Sequence, residues 1–177
     1  MEINRIKVGQ LRCNCYVLVI DDECLVIDPG GDYDKIKEVI GDKKVIATLI
    51  THNHFDHVGA LDNFDVRYIY DFSNLEEKEY EFNKFKFEVI KTPGHSSDLL
   101  TYYFKDDKVM FTGDFLFKDC IGRTDLFSSS NEDMINSLNR IITYPEEVVI
   151  YPGHGDNSTL KHEKENIWEY LQFLSSK

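Results

Sequence analysis

Apolar and polar residues alternate with period two along several short stretches of this chain. Phe85, Phe87 and Val89 alternate with Lys86 and Glu88, as a strand with one buried face requires. The run Val45-Ile46-Ala47-Thr48-Leu49-Ile50 is almost wholly apolar and reads as a buried strand. The pattern predicts strands near 2–8, 13–20, 23–28, 45–50, 66–70, 84–91, 99–105, 108–113 and 147–151. Helices fall between them. Asp32 is placed to cap a helix over Tyr33 to Ile40 that stops at Gly41, with Ile36, Val39 and Ile40 on one face. Ser130 with Asp133 resembles a capping box, and Met134, Ile135, Leu138, Ile141 and Ile142 mark the amphipathic helix behind it. A last helix follows Ser158, with Leu160, Ile167, Trp168, Leu171 and Leu174 as apolar positions. Trp168 and Met134 are read as core residues. The alternation of strands and helices, 42% hydrophobic content and the lack of a linker or repeat predict one α/β domain over residues 1–177.

Several of these strands run into reactive side chains. The run at 45–50 leads into Thr51-His52-Asn53-His54-Phe55-Asp56-His57, which holds three of the chain's six histidines. Imidazoles with a carboxylate are the donors a borderline cation such as Zn2+ selects. Four such side chains within six positions exceed what one structural ion needs, so a pair of metals is predicted. If the strand stays extended, His52 and His54 point to one side and converge on one ion while Asn53 points away. Asp56 and His57 then begin a predicted helix through Val58-Gly59-Ala60-Leu61, where they can turn toward a second ion and where a carboxylate suits the positive helix end. Three further strands supply the missing ligands, ending in Thr92-Pro93-Gly94-His95, Gly113-Asp114 and Pro152-Gly153-His154-Gly155. Glycine there lets the backbone turn sharply and come close to a bound species.

These segments, with Asp28-Pro29-Gly30-Gly31, Phe111-Thr112-Gly113-Asp114-Phe115-Leu116-Phe117, Ile121-Gly122-Arg123-Thr124-Asp125-Leu126 and Tyr151-Pro152-Gly153-His154-Gly155, resemble the metallo-β-lactamase-fold superfamily. The branch they resemble is the glyoxalase II (hydroxyacylglutathione hydrolase)-like one, and the likeness covers nearly the whole chain. It implies a four-layer αββα sandwich, two mixed sheets with helices outside. By the same resemblance His52, His54 and His95 hold one metal, Asp56, His57 and His154 hold the other, and Asp114 bridges them. The implied cofactors are two divalent ions, Zn2+ foremost, with Fe2+ or Mn2+ as alternatives. The implied activity is thioester (hydroxyacyl-thiol) hydrolysis by a hydroxide shared between the metals and oriented by Asp56. Antibiotic-hydrolysing members usually carry Cys or Ser at the place of Asp114, and flavodiiron members carry Glu where His54 stands. Authentic glyoxalase II adds a helical C-terminal domain for glutathione, and the reading here places only one helix after His154. Arg123 matches a segment near the thiol-bearing part of the substrate, where its fork suits a carboxylate. Pairing of Arg123 to Asp125 or Asp119 is the other reading. Asp98 stands where relatives have a Thr-Pro-Gly-Ser type turn and is read as a partner of a metal-bound histidine. Asp156 stands where Pro is frequent.

A second resemblance stays open. Gly122-Arg123-Thr124-Asp125 is also similar to the persulfide dioxygenases of the superfamily, which use one iron on the equivalents of His52, His95 and Asp114, so a mononuclear iron oxidoreductase is the alternative. A non-catalytic metal-binding protein is a third reading. The net charge of −12, from 32 acidic against 20 dispersed basic residues, argues against a polyanionic substrate, so a small-molecule thioester is expected and nucleic acid is not. No signal peptide and no apolar stretch near 18 residues is seen, so no membrane association and a cytoplasmic location are expected. The pattern fixes no oligomeric state. Cys13, Cys15, Cys24 and Cys120 fit no zinc-ribbon or redox spacing. Cys13 and Cys15 are read as buried small hydrophobes, Cys120 as a passive thiol near the substrate channel, and His162 as a surface residue.

Overall fold

In the computed structural model, which describes residues 1–175, the period-two alternation sorts side chains onto the faces of two sheets. The first sheet holds β1 (Glu2–Val8), β2 (Cys13–Ile20), β3 (Glu23–Ile27), β4 (Lys44–Leu49) and β5 (Ile69–Tyr70) in that spatial order. Its first three strands pair antiparallel, whereas β3 with β4 and β4 with β5 are parallel. Helix α1 (Tyr33–Ile40) crosses from β3 to β4, and the short α2 (Phe55–Val58) follows β4. The second sheet is ordered β6 (Glu79–Phe82), β7 (Phe85–Lys91), β8 (Leu100–Phe104), β9 (Val109–Gly113), then β12 (Val149–Pro152) and β13 (Ser158–Thr159). Between them in sequence come a two-stranded ribbon of β10 (Leu116–Phe117) and β11 (Cys120–Ile121), and helix α3 (Asn131–Ile141). Helix α4 (Leu160–Ser175) ends the described chain.

Tyr16 and Leu18 of β2 and Leu25 and Ile27 of β3 meet Phe85, Phe87 and Val89 of β7 and Tyr102 and Phe104 of β8 between the two sheets. The intervening β2 positions, Cys13, Cys15, Val17 and Val19, face outward against Ile36 and Ile40 of α1. On the far side Ile90, Met110 and Ile150 pack against Met134, Leu138 and Ile141 of α3 and Leu160, Ile167 and Leu171 of α4. The order is therefore helix, sheet, sheet, helix, the four-layer αββα sandwich that the family resemblance implied. Each large apolar side chain so buried contributes about 1.5–3 kcal/mol, and five phenylalanines and two tyrosines are among the largest fully buried ones.

Local departures from the sequence reading have local causes. Asp32 stands at the N-cap of α1 at φ 47° and makes no capping bond. Its carboxylate accepts instead from Gly9 N (3.2 Å) and Lys35 Nζ (2.8 Å). The helix predicted through Val58 to Leu61 is α2, which stops at Val58 because Ala60 N–H turns to the Pro29 carbonyl, 2.8 Å away. Of the strand predicted near 66–70, Val66–Tyr68 is a 3-10 turn capped by Asp65, and only Ile69–Tyr70 pairs with β4. Ser130 accepts from Asp133 N (3.1 Å), but its own N–H goes to the Gly94 carbonyl, so the reciprocal half of the capping box is not made. Met134 is in the core as expected. Trp168 is not: it is 54% exposed, because the buried stripe of α4 runs through Leu160, Ile167, Leu171 and Leu174. The cysteines are free, with Cys13, Cys15 and Cys24 buried and Cys120 exposed. Among the described residues no helix is long and apolar enough to cross a membrane.

Candidate metal centre

Strand direction brings the reactive termini together. β7 and β9 both pair antiparallel with β8 and so run the same way, and β12 is parallel to β9, which puts His95, Asp114 and His154 at one edge of the second sheet. The first sheet delivers His52 to the same edge, where Leu100 N–H donates to the Thr51 carbonyl (2.8 Å). Asn14 and Tyr16 of β2 reach across to the loop before His154. The Asn14 amide donates to the Pro152 and Gly155 carbonyls at 3.0 Å each, and Tyr16 Oη donates to Pro152 at 2.6 Å.

His52 Nε2 lies 3.0 Å and His95 Nε2 3.1 Å from His54 Nδ1. The protons on these rings can be placed by elimination. His95 Nδ1 lies 3.0 Å from the Arg123 carbonyl oxygen, which can only accept, so Nδ1 carries the proton and Nε2 offers a lone pair. Thr51 Oγ1 donates to Asp28 Oδ2 (2.7 Å) and therefore accepts from His52 Nδ1 (3.1 Å), which leaves His52 Nε2 as a lone pair too. Both lone pairs face His54 Nδ1, which carries at most one proton. At least one buried nitrogen is thus unsatisfied without a cation, and a cation satisfies all three. Burial and the neighbouring imidazoles hold His52 well below the ordinary histidine range, keeping it neutral and able to ligate.

A second set adjoins the first. His57 Nδ1 lies 2.9 Å from Asp28 Oδ2 and donates to it, while His57 Nε2 is buried with no hydrogen-bond partner, 3.3 Å from Asp114 Oδ1, itself buried without one. Asp114 Oδ2 lies 3.7 Å from both His95 Nε2 and His154 Nε2, so this carboxylate faces both sets. Asp56 Oδ2 is 3.1 Å from His154 Nε2 and 3.7 Å from His57 Nε2. Burial opposes the charge on Asp114, but His57 and the other imidazoles outweigh it and hold its carboxyl below the usual range. Asp56 is held down in the same way against burial, by His154 and His57. Two unpaired buried atoms aimed at each other, ringed by imidazoles and a second carboxylate, fit a divalent ion.

Gly153 makes that space. A Cβ there would meet Asp114 Oδ1 and, at 2.7 Å, His57 Cε1. Gly153→Ala is accordingly expected to weaken metal binding about 10–100-fold, read by chelator competition, with little change in far-ultraviolet circular dichroism.

The structure brings His52, His54, Asp56, His57, His95, Asp114 and His154 together at this edge. Of the two readings of Arg123, the structure shows the pairing to Asp125: its guanidinium is exposed and bidentate on that carboxylate, at 2.6 and 2.8 Å, while its backbone carbonyl fixes His95, which the sequence did not suggest. Cys120 lines a cavity of about 370 Å³ beside His154, with Phe117, Lys118 and Asp156. His162 is on the surface, 2.6 Å from Asp119. Sequence reasoning assigned no role to Asp28, Thr51 or Asn14, and it read Cys13 only as a buried small hydrophobe; Cys13 is buried, its Sγ is 3.6 Å from His57 Nδ1, and burial pushes its thiol up to about 11. The Pro-Gly-Gly after Asp28 was the available signal, since a Cβ on Gly30 would collide with the Asp56 carbonyl and the close approach of the two loops needs glycine.

The sequence profile of the metallo-beta-lactamase superfamily matches residues 8–71 and 66–154. The chain is 34% identical to the probable metallo-hydrolase YqgX of Bacillus subtilis, over 93% of this chain and 95% of that one. It is 30% identical to the hydroxyacylglutathione hydrolase GloC of Haemophilus influenzae over the full length of both. Among solved structures, the BLEG-1 B3 metallo-beta-lactamase superposes with TM-score 0.88 at 30% identity, over 93% of this chain and 97% of that one. TTHA1623, in a di-iron-bound form, superposes with TM-score 0.83 at 27% identity, over 92% and 98%.

Proposed function

Because the chain belongs to the metallo-β-lactamase superfamily and its relatives of similar length include metallo-hydrolases, we propose that it hydrolyses small-molecule thioesters of the hydroxyacyl-thiol class using two divalent ions. The observation that carries this reading is the pair of complete donor sets sharing one carboxylate, His52, His54 and His95 on one side and Asp56, His57 and His154 on the other, with Asp114 between. The full-length likeness to a hydroxyacylglutathione hydrolase supports the substrate class. The nitrogen and oxygen donors suit Zn2+, and the di-iron neighbour makes Fe2+ the other ion to measure.

Bound there, the ions would lower the pKa of a water toward neutrality and polarise an acyl carbonyl. The chain's own residues do the rest. Asp56, 9% exposed and held ionised, is an acceptor placed to take a proton from the attacking water and return it to the departing sulfur. Asp28, through His57 Nδ1 and Thr51, keeps the ring nitrogens of His57 and His52 turned toward the centre. The excess of acidic residues disfavours a nucleic-acid substrate.

The test is turnover of a hydroxyacyl thioester, a β-lactam and a persulfide by protein of measured metal content. Thioester cleavage with two ions per chain supports the proposal. Oxygen uptake on the persulfide with one iron per chain would replace it by the dioxygenase reading, and preference for the β-lactam would place the chain with its lactamase neighbour. For Arg123 the expected result is specific: if its guanidinium leaves Asp125 to grip a substrate carboxylate, Arg123→Ala raises KM about tenfold for an acidic thioester and leaves a neutral one unchanged. An equal loss on both would assign Arg123 to the loop that holds His95.

A further inference from the structure

Asp98 lies outside both donor sets, and it touches no histidine. Its Oδ2 accepts from the backbone N–H of Asn53 at 3.0 Å and from the Asn53 side-chain amide at 2.9 Å. Its Oδ1 accepts from Ser96 Oγ. Asn53 is the residue between His52 and His54, and Ser96 directly follows His95. One carboxylate therefore ties together two loops that are 45 residues apart in sequence and carry the three imidazoles of one set. The Asn53 peptide is the link that sets the angle between His52 and His54, and an anchored N–H on that link holds their nitrogens at the 3.0 Å spacing seen here. Among the described residues no other acceptor takes the Asn53 backbone N–H.

We propose that Asp98 is a positioning residue, a clamp that pre-assembles the His52, His54 and His95 cluster for its metal by bonding the Asn53 peptide to the His95 loop. It rests on the reading that this cluster binds an ion. A site that is held open before the ion arrives loses less conformational freedom on binding, so the clamp acts on affinity at this set and not at Asp56, His57 and His154.

Stepwise Zn2+ affinities from competition with a chromophoric chelator, the d–d spectrum of the Co2+-loaded protein and the melting temperature of the metal-free protein test it together. Asp98→Ala is expected to weaken one of two binding steps about 10–100-fold, to alter the Co2+ spectrum, and to leave the other step and the metal-free melting temperature near wild type. Asp98→Asn keeps a carbonyl oxygen that can accept from Asn53 and is expected to recover most of the loss. Two wild-type binding steps in Asp98→Ala would overturn the clamp, and so would an equal weakening of both steps with a lowered metal-free melting temperature. A loss in Asp98→Asn as large as in Asp98→Ala would assign the effect to charge and overturn it too. Wild-type protein that takes up no ion would instead overturn the metal reading beneath it.

Discussion

Asp114→Asn is expected to lower thioester turnover on the order of 10³-fold and to leave the protein short of its second ion. Asp114 is 8% exposed and faces His57 through one oxygen and His95 and His154 through the other. Asparagine has nearly the same shape, so the strands should pack as before. It is neutral, however, and one of its two polar ends becomes an N–H donor pointed at the site. It can neither offset the mutual repulsion of two dications nor supply an oxygen to each. Turnover measured at matched metal concentration, with metal content by elemental analysis, checks the claim. A variant with full turnover would remove the shared carboxylate from the proposal.

Asp28→Ala should have the largest effect on stability. The residue is 2% exposed and its carboxylate accepts three bonds, from Thr51 N at 2.8 Å, Thr51 Oγ1 at 2.7 Å and His57 Nδ1 at 2.9 Å. Each donor left unpaired inside the protein costs about 1–3 kcal/mol, so a loss of about 3–5 kcal/mol is expected after local rearrangement. In a domain of this size that lowers the melting temperature by about 10 °C. The same deletion frees His57 to rotate and removes the acceptor through which Thr51 orients His52, so both donor sets should weaken. Calorimetry of the metal-free variant separates the folding loss from the metal loss. A melting temperature within about 2 °C of wild type would mean that water replaces the carboxylate in this pocket.

The parts of the fold that were legible in the sequence are those where side-chain chemistry repeats at short range. Phe85, Phe87 and Val89 showed which face of β7 is buried, and Ile36 and Ile40 did so for α1. Pieces whose identity depends on distant partners were not legible. Ile69–Tyr70 is a strand only because β4 lies beside it, and Val66–Tyr68 turns because Asp65 caps it. At the site the histidine block stood out by composition, because three imidazoles and a carboxylate in seven positions have few other uses. The partners of Asp28 and Asp98 did not: Asp28 was visible only as part of a motif and Asp98 was read as bonding a histidine, because what each bonds to, His57 and Asn53, is 29 and 45 residues away. Arg123 shows the same limit from the other side: the residue was noticed for its guanidinium, and the atom that reaches the centre is its carbonyl oxygen.

Anomalous diffraction at the absorption edge of the bound metal, from crystals of the purified protein, tests the central claim most directly. Two peaks are expected, one among His52, His54 and His95 and one among Asp56, His57 and His154, with Asp114 between them. One fully occupied peak among His52, His95 and Asp114, with none beside His57 and His154 in metal-saturated protein, would contradict it.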